Sequence, residues 1–195
     1  MRKLVVTEFL SLDGVYQAPG DPEEDTEGGF RHGGWQRPYF DDVLGTDAAR
    51  GMAQTDAHLF GRKTYEIMAR YWPTAPADDA YGKHLNGVQK YVASHTLKDA
   101  SWANTTILSG ALAEEIGRLK AQEGGDISVL GSGNLVQSLM EHDLVDVYAL
   151  AVFPVVLGSG KRLFADADRM RGLRLVESKP TSTGGVLLTY EPLRS

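Results

Sequence analysis

Apolar and polar positions along the chain change period repeatedly. Residues 4–10 form a short run of apolar and β-branched side chains, closed by the turn-forming Ser11-Leu12-Asp13-Gly14, and this pattern predicts a strand. Residues 17–38 break the pattern with Pro19-Gly20-Asp21-Pro22, an acidic run and two Gly-Gly pairs, so they read as a long loop, either a functional lid or disordered. Trp35 near its end favours a lid or a pocket wall. A helix is expected over 41–54, a strand over 57–60 and a helix from about Arg62 that stops at Trp72-Pro73-Thr74-Ala75-Pro76, where another loop begins.

Short strands follow at 89–94 and 105–108. Leu112, Ile116 and Leu119 then recur at helical spacing, which predicts an amphipathic helix over 111–122 closed by Gly124-Gly125. The run at 127–130 reads as a strand, and Leu135, Val136, Leu139 and Met140 mark the helix after it. Residues 145–153 are nearly all apolar, as in a central strand covered on both faces. Residues 173–177 and 186–190 flank a Pro/Thr/Gly turn and read as a terminal hairpin. Alternating strands and helices, followed by strands alone, predict a three-layer α/β domain with an antiparallel edge.

Length and charge narrow this picture. At 195 residues the chain suits one domain, 1–195, and its formal net charge of −6 argues against nucleic acid as a partner. Without cysteine it cannot form disulfides, zinc–thiolate sites or a cysteine nucleophile. The five histidines lack metal-ligand spacing, so no metal is expected. The N-terminus shows no signal-peptide pattern and no run reaches membrane-spanning length, so a cytoplasmic protein without membrane contact is expected.

The chemistry concentrates in two turns. Gly61-Arg62-Lys63-Thr64-Tyr65-Glu66 and Gly131-Ser132-Gly133-Asn134-Leu135 each follow an apolar run and open a helical pattern. A glycine-rich strand-to-helix turn exposes backbone N–H groups and the positive end of the helix dipole, which suits an anion such as a nucleotide pyrophosphate. Arg62 and Lys63 add positive charge to an otherwise acidic protein. Each motif also has a plainer reading, a helix start or a solvated first turn. Leu157-Gly158-Ser159-Gly160-Lys161-Arg162 lacks the first glycine and the Ser/Thr of a P-loop, and reads better as a bend after the central strand. Ser94 and His95, in Ser94-His95-Thr96, could either meet a ribose or its phosphate or cap the loop.

In this order, Ser11-Leu12-Asp13-Gly14, Gly61-Arg62-Lys63-Thr64-Tyr65-Glu66, Gly131-Ser132-Gly133, Leu144-Val145-Asp146 and Pro154-Val155-Val156-Leu157-Gly158-Ser159-Gly160 resemble the dihydrofolate reductase-like superfamily. The nearest branch is the C-terminal reductase domain of the bacterial bifunctional riboflavin-biosynthesis deaminase–reductase. The resemblance implies a mixed sheet of about eight strands with flanking helices, binding NADPH across its carboxyl edge. It places Arg62, Lys63 and Thr64 at the pyrophosphate and 2′-phosphate, Ser94 and His95 near the adenosine ribose, and Gly131 to Leu135 beneath the pyrophosphate and nicotinamide ribose. Strand alternation puts Thr7 and Phe9 on one face, where they could line the hydride-transfer site, with Trp35 from the loop.

The chain departs from that branch in three ways. Thr7 stands where the riboflavin reductases carry a lysine, Leu130-Gly131-Ser132 replaces their Glu-Gly-Gly, and no zinc deaminase domain is present. The resemblance therefore implies an NADPH-dependent reductase of a small heterocycle, pterin- or pyrimidine-like, similar to 5-amino-6-(5-phosphoribosylamino)uracil reductase, with a homodimer as the family-level expectation. A non-catalytic NADP(H)-binding or small-ligand-binding protein on the same fold is the alternative. Water, or Asp13 acting through water, is the candidate proton donor.

Overall fold

A computed structural model describes residues 1–164 and 169–193. Its strands are β1 (Leu4–Ser11), β2 (Thr55–Gly61), β3 (Gln89–Ala93), β4 (Thr105–Leu108), β5 (Asp126–Leu130), β6 (Val147–Phe153), β7 (Leu173–Pro180) and β8 (Val186–Pro192). Its α-helices are α1 (Asp42–Gln54), α2 (Arg62–Tyr71), α3 (Ala80–Gly87), α4 (Leu112–Ala121) and α5 (Gly133–Glu141). All strands join one sheet in the order β4-β3-β2-β5-β1-β6-β8-β7. Neighbours from β4 to β6 run parallel, whereas β8 is antiparallel to both β6 and β7. The expected mixed sheet and terminal hairpin are therefore both present. In such sheets ligands meet the carboxyl ends of the parallel strands, the edge where β1, β2 and β5 deliver their turns.

The period-two pattern of β1 explains how the layers are held. Leu4, Val6 and Leu10 face Ile116 and Leu119 of α4 and Leu135, Val136 and Leu139 of α5 in the largest cluster. Phe9 points the other way, against Phe153, Leu44 of α1, Val15 and Trp35. A third cluster joins Phe60, Tyr65, Leu85, Val92 and Trp102.

Two segments differ from the expected pattern. The loop after Trp72 gives way to α3, started by the Asp79 carboxylate, which accepts the Gly82 N–H at 2.9 Å. The long segment 17–38 is packed rather than open: it contains 3-10 turns at Glu27–Gly29 and Arg37–Tyr39, and buries Phe30 and Trp35. The Trp35 indole N–H donates to the Gln17 carbonyl at 2.8 Å, which satisfies the polar edge of a ring otherwise in the core.

The buried pair His58 and His84 gives the fold an acid sensitivity. Their Nε2 atoms lie 3.2 Å apart. Burial, then His84 and Lys90, push the His58 pKa down to about 3. The unfolded chain, with an ordinary histidine, takes up this proton near pH 6.5 while the folded protein does not. Stability should therefore fall as pH drops below about 6.5, by about 2 kcal/mol at pH 5 from His58 alone. Urea midpoints at pH 7 and pH 5 should show that loss in the native protein and a smaller one in His58→Gln. Equal losses in both would refute it.

Candidate active site

The two glycine turns lie side by side at the carboxyl ends of β2 and β5, which are paired strands. The Gly61 N–H donates to Ser132 Oγ at 3.0 Å, and Ser132 Oγ donates to the Leu130 carbonyl at 3.2 Å. Gly131 (φ 58°) and Ser132 (φ 67°) are both left-handed, so the chain turns sharply into α5 with its first N–H groups exposed to the edge. Neither α2 nor α5 has a side-chain N-cap, and neither carries an acid in its first turn. A Cβ on Gly131 would lie 3.2 Å from Thr64, so the two turns also touch. Two adjacent uncapped helix starts are a strong anion-binding arrangement.

Arg62 and Lys63 stand at the head of α2. The Arg62 guanidinium donates to Glu66 at 2.7 Å and to Thr96 Oγ1 at 2.8 Å, which aims it at the Ser94–Thr96 turn. Lys63 is engaged by the long loop: its Nζ lies 3.0 Å from Asp25 and 2.5 Å from Glu27. Lys161 contacts the same two carboxylates, with Asp25 at 2.7 Å. Burial pushes the Asp25 carboxyl up, but hydrogen bonds from Lys161 and Lys63 outweigh it and hold the group below its ordinary range. The Gln17 side-chain amide donates to the Asp25 and Glu27 carbonyls at 3.1 and 3.0 Å, which ties this acidic strap in place.

Tyr16 closes the site from above. A Cβ on Gly133 would lie 2.3 Å from its ring, so only glycine admits the ring at the head of α5. The Tyr16 hydroxyl reaches Asn134 Oδ1 at 3.5 Å. Burial, then the field of Glu8, push the Tyr16 pKa up to about 12.

Ser94 takes the capping role of its two readings, accepting the N–H groups of Thr96 and Leu97 at 3.2 and 3.0 Å. His95 Nδ1 lies 3.0 Å from the Ser109 carbonyl. Both line a cavity of about 260 Å³ that also takes in Leu112, Glu115, Leu135 and Glu141. Leu135 reaches it from the core side of α5.

Of the remaining candidates, Thr7 and Phe9 share one face of β1. Thr7 Oγ1 and Ser128 Oγ lie 3.2 Å apart. Phe9 packs edge-on against Phe153, and Trp35 packs on the same ring, so Trp35 is brought to Phe9 but sits in the core beneath the loop. Asp13 is a clamp: its carboxylate accepts the Ser11 hydroxyl (2.7 Å) and the N–H groups of Leu157 (3.0 Å) and Gly158 (2.9 Å). Burial pushes its pKa up, but those bonds win and bring it down to about 2, leaving no proton to give at neutral pH.

Glu8 was missed by the sequence reading. It is 4% exposed, on the face of β1 shared with Leu4, Val6 and Leu10, and its Oε1 has no hydrogen-bond partner among the described residues. Burial, then the nearby Glu24, push its pKa well up. The available signal was an acid at an inward position of an apolar strand, which alternation alone marks as anomalous.

These features fit a dinucleotide. Amide donors for a pyrophosphate, Arg62 and Lys63 beside them, a slot where a ring already lies on glycine and a buried carboxyl with an unpaired oxygen are its chemical counterparts.

Residues 2–187 match the RibD C-terminal domain family. The chain belongs to that family. It is 31% identical over 140 residues to the uncharacterized protein YyaP of Bacillus subtilis (strain 168), covering 70% of this chain and 74% of the relative. Among solved structures, a candidate riboflavin biosynthesis protein from Shewanella sp. PV-4 superposes with a TM-score of 0.72 at 18% identity, covering 98% of this chain and 99% of that one. Dihydrofolate reductase from Enterococcus faecalis, complexed with NADP(H), superposes with a TM-score of 0.59 at 16% identity, over 97% and 96% of the two chains. This RibD C-terminal domain protein thus has a dihydrofolate reductase-like fold. Among its described residues, no helix is long and apolar enough to cross a membrane.

Proposed function

We propose that residues 1–195 form a single NADPH-dependent reductase domain acting on a small heterocyclic, pterin- or pyrimidine-like substrate. One observation carries this reading: the Gly61 and Gly131–Gly133 turns share a hydrogen bond and set two uncapped helix starts side by side. The backbone of Gly61, Gly131, Ser132 and Gly133, with Thr64 and Asn134, would hold the pyrophosphate. Arg62 beside His95 and Thr96 would read the 2′-phosphate, and Lys63 would add charge once the strap releases it. When bound, the reduced nicotinamide supplies the hydride.

The substrate side is argued from β1. Thr7 and Ser128 offer neutral hydroxyls where the riboflavin reductases place a lysine. Such a face has little to offer a substrate phosphate, which favours an uncharged heterocycle over the phosphoribosyl substrate. Asp13 has no part as proton donor in this reading, since its carboxylate holds two loops together.

The test uses the coenzymes alone. NADPH should raise the melting temperature, since a ligand at 100 times its Kd adds about 2.7 kcal/mol to a native state it binds exclusively. Arg62→Ala/Lys63→Ala should weaken NADPH about tenfold, or ~1.4 kcal/mol, and NADH much less. An unchanged NADPH-to-NADH ratio in the double variant would remove the phosphate-reading role. Oxidation of NADPH by 7,8-dihydrofolate or the riboflavin-pathway pyrimidine then separates a reductase from a non-catalytic NADP(H)-binding protein.

A further inference from the structure

We infer that Glu8 seats the ring end of the dinucleotide, its carboxyl pairing with the primary carboxamide of the reduced nicotinamide. The inference rests on the cofactor reading above and extends it to a residue for which neither the turns nor the family resemblance gives a role.

Placement comes first. Glu8 lies on the α5-facing side of β1, the side on which the Gly131–Gly133 turn enters its helix, and opposite to Thr7 and Phe9. Tyr16 links it to that turn, with its ring over Gly133 and its hydroxyl within the field of Glu8. A flat ring therefore already lies at the head of α5 and close enough to Glu8 to feel its charge, in a slot that a side chain on Gly133 would abolish. A dinucleotide whose bridge sits on the two turns would send its second ring toward this slot.

Chemistry comes second. Glu8 is buried and its Oε1 is unpartnered, whereas buried carboxyl oxygens ordinarily find donors inside the protein. A site that leaves such an atom orphaned is complete only with a ligand that supplies the partner. The groups whose charge bears on Glu8 are Glu24 and Tyr16, both from the loop, and α5 brings no charged side chain in its first turn. Across the sheet Glu8 is opposite Leu150 of β6. Among the described residues no donor there stabilises a carboxylate, and burial with the field of Glu24 raises its pKa, which favours the neutral acid. A neutral carboxylic acid donates its O–H to an amide carbonyl and accepts an amide N–H with its own carbonyl oxygen. The nicotinamide carboxamide presents both partners in one plane, which satisfies Oε1 and places the ring.

The experiment needs no substrate. Three probes are titrated by calorimetry at pH 7 into the native protein, Glu8→Gln and Glu8→Leu: NADPH, its 3-acetylpyridine analogue, which lacks the amide N–H, and 2′,5′-ADP, which lacks the ring. The native protein should bind NADPH at least about tenfold tighter than the analogue, a difference of ~1.4 kcal/mol. Glu8→Leu should abolish that preference while keeping its affinity for 2′,5′-ADP. Glu8→Gln, nearly isosteric with the neutral acid, should retain part of the preference. In the native protein NADPH affinity should decline as rising pH ionises Glu8, and in Glu8→Gln it should stay flat, a comparison that stands if the leucine variant fails to fold. An undiminished preference in Glu8→Leu, or identical pH profiles for the native protein and Glu8→Gln, would overturn the inference. Tight 2′,5′-ADP binding with no gain from the ring would also overturn it while leaving the cofactor reading intact. Binding of none of the probes would end both.

Discussion

Phe153→Ala is expected to lower the stability of the folded protein by about 3–5 kcal/mol, the cost of removing a buried phenyl ring whose site cannot collapse. Phe153 ends β6 with no exposed surface, and three aromatic rings from separate parts of the chain meet it. Phe9 of β1 lies 5.6 Å away edge-on, while Trp35 and Tyr39 of the long loop each lie 5.9 Å away. Sheet and loop therefore share one anchor. Its removal leaves a cavity and also loosens residues 17–38, which hold the acidic strap against Lys63 and Lys161. Urea unfolding measures the first effect, and cleavage of the loop by a protease under native conditions measures the second. Phe153→Leu should lose much less, because most of the volume remains. A loss below about 1 kcal/mol in the alanine variant, or a loop as resistant as before, would show that the cluster does not anchor the loop.

What the sequence disclosed, and what it hid, follow from the range of each interaction. The turns at Gly61 and Gly131 were legible because strand, glycine and helix start are local patterns, and the mixed sheet of about eight strands was reachable through the family resemblance. Helix α3 was hidden behind Pro73 and Pro76, although Asp79 three residues before Gly82 is a capping signal. The engagement of Lys63 was not legible at all. Asp25 and Glu27 reach it across a fold, and no spacing rule brings residues 25, 63 and 161 together. Asp13 read as a free acid because its partners Leu157 and Gly158 lie far along the chain. Glu8 was hidden differently: it sits within the apolar run 4–10, and only its period-two parity with Leu4, Val6 and Leu10 places it inside.

The strap changes how the positive patch should be understood. Arg62 and Lys63 looked like charge waiting for an anion, but the fold already gives them Glu66, Asp25 and Glu27. The cationic partner of each pair is half-exposed and screened by solvent, so a polyanion can compete for it. The selective element is then the backbone of the two turns, whose geometry side-chain exchange does not alter.

That argument makes Gly131→Val the sharpest test of the site, with NADPH affinity expected to fall about 100-fold, or ~2.7 kcal/mol. Gly131 has φ 58°, which a β-branched residue adopts only with about 1–3 kcal/mol of strain. Its Cβ would also lie 3.2 Å from Thr64, so the valine would press the second turn away from the first. Relief of both requires residue 131 to rotate out of the left-handed region. Rotation carries Ser132 with it and breaks the bond from the Gly61 N–H to Ser132 Oγ. The two turns would then no longer be joined, although every charged side chain remains. Gly184→Val is the control, because φ 89° imposes similar strain in the distant β7–β8 turn. Both variants should unfold at lower urea, but only Gly131→Val should lose the coenzyme. Equal NADPH affinities in the two would place the anion site elsewhere, since strain alone would then account for all that the substitution does.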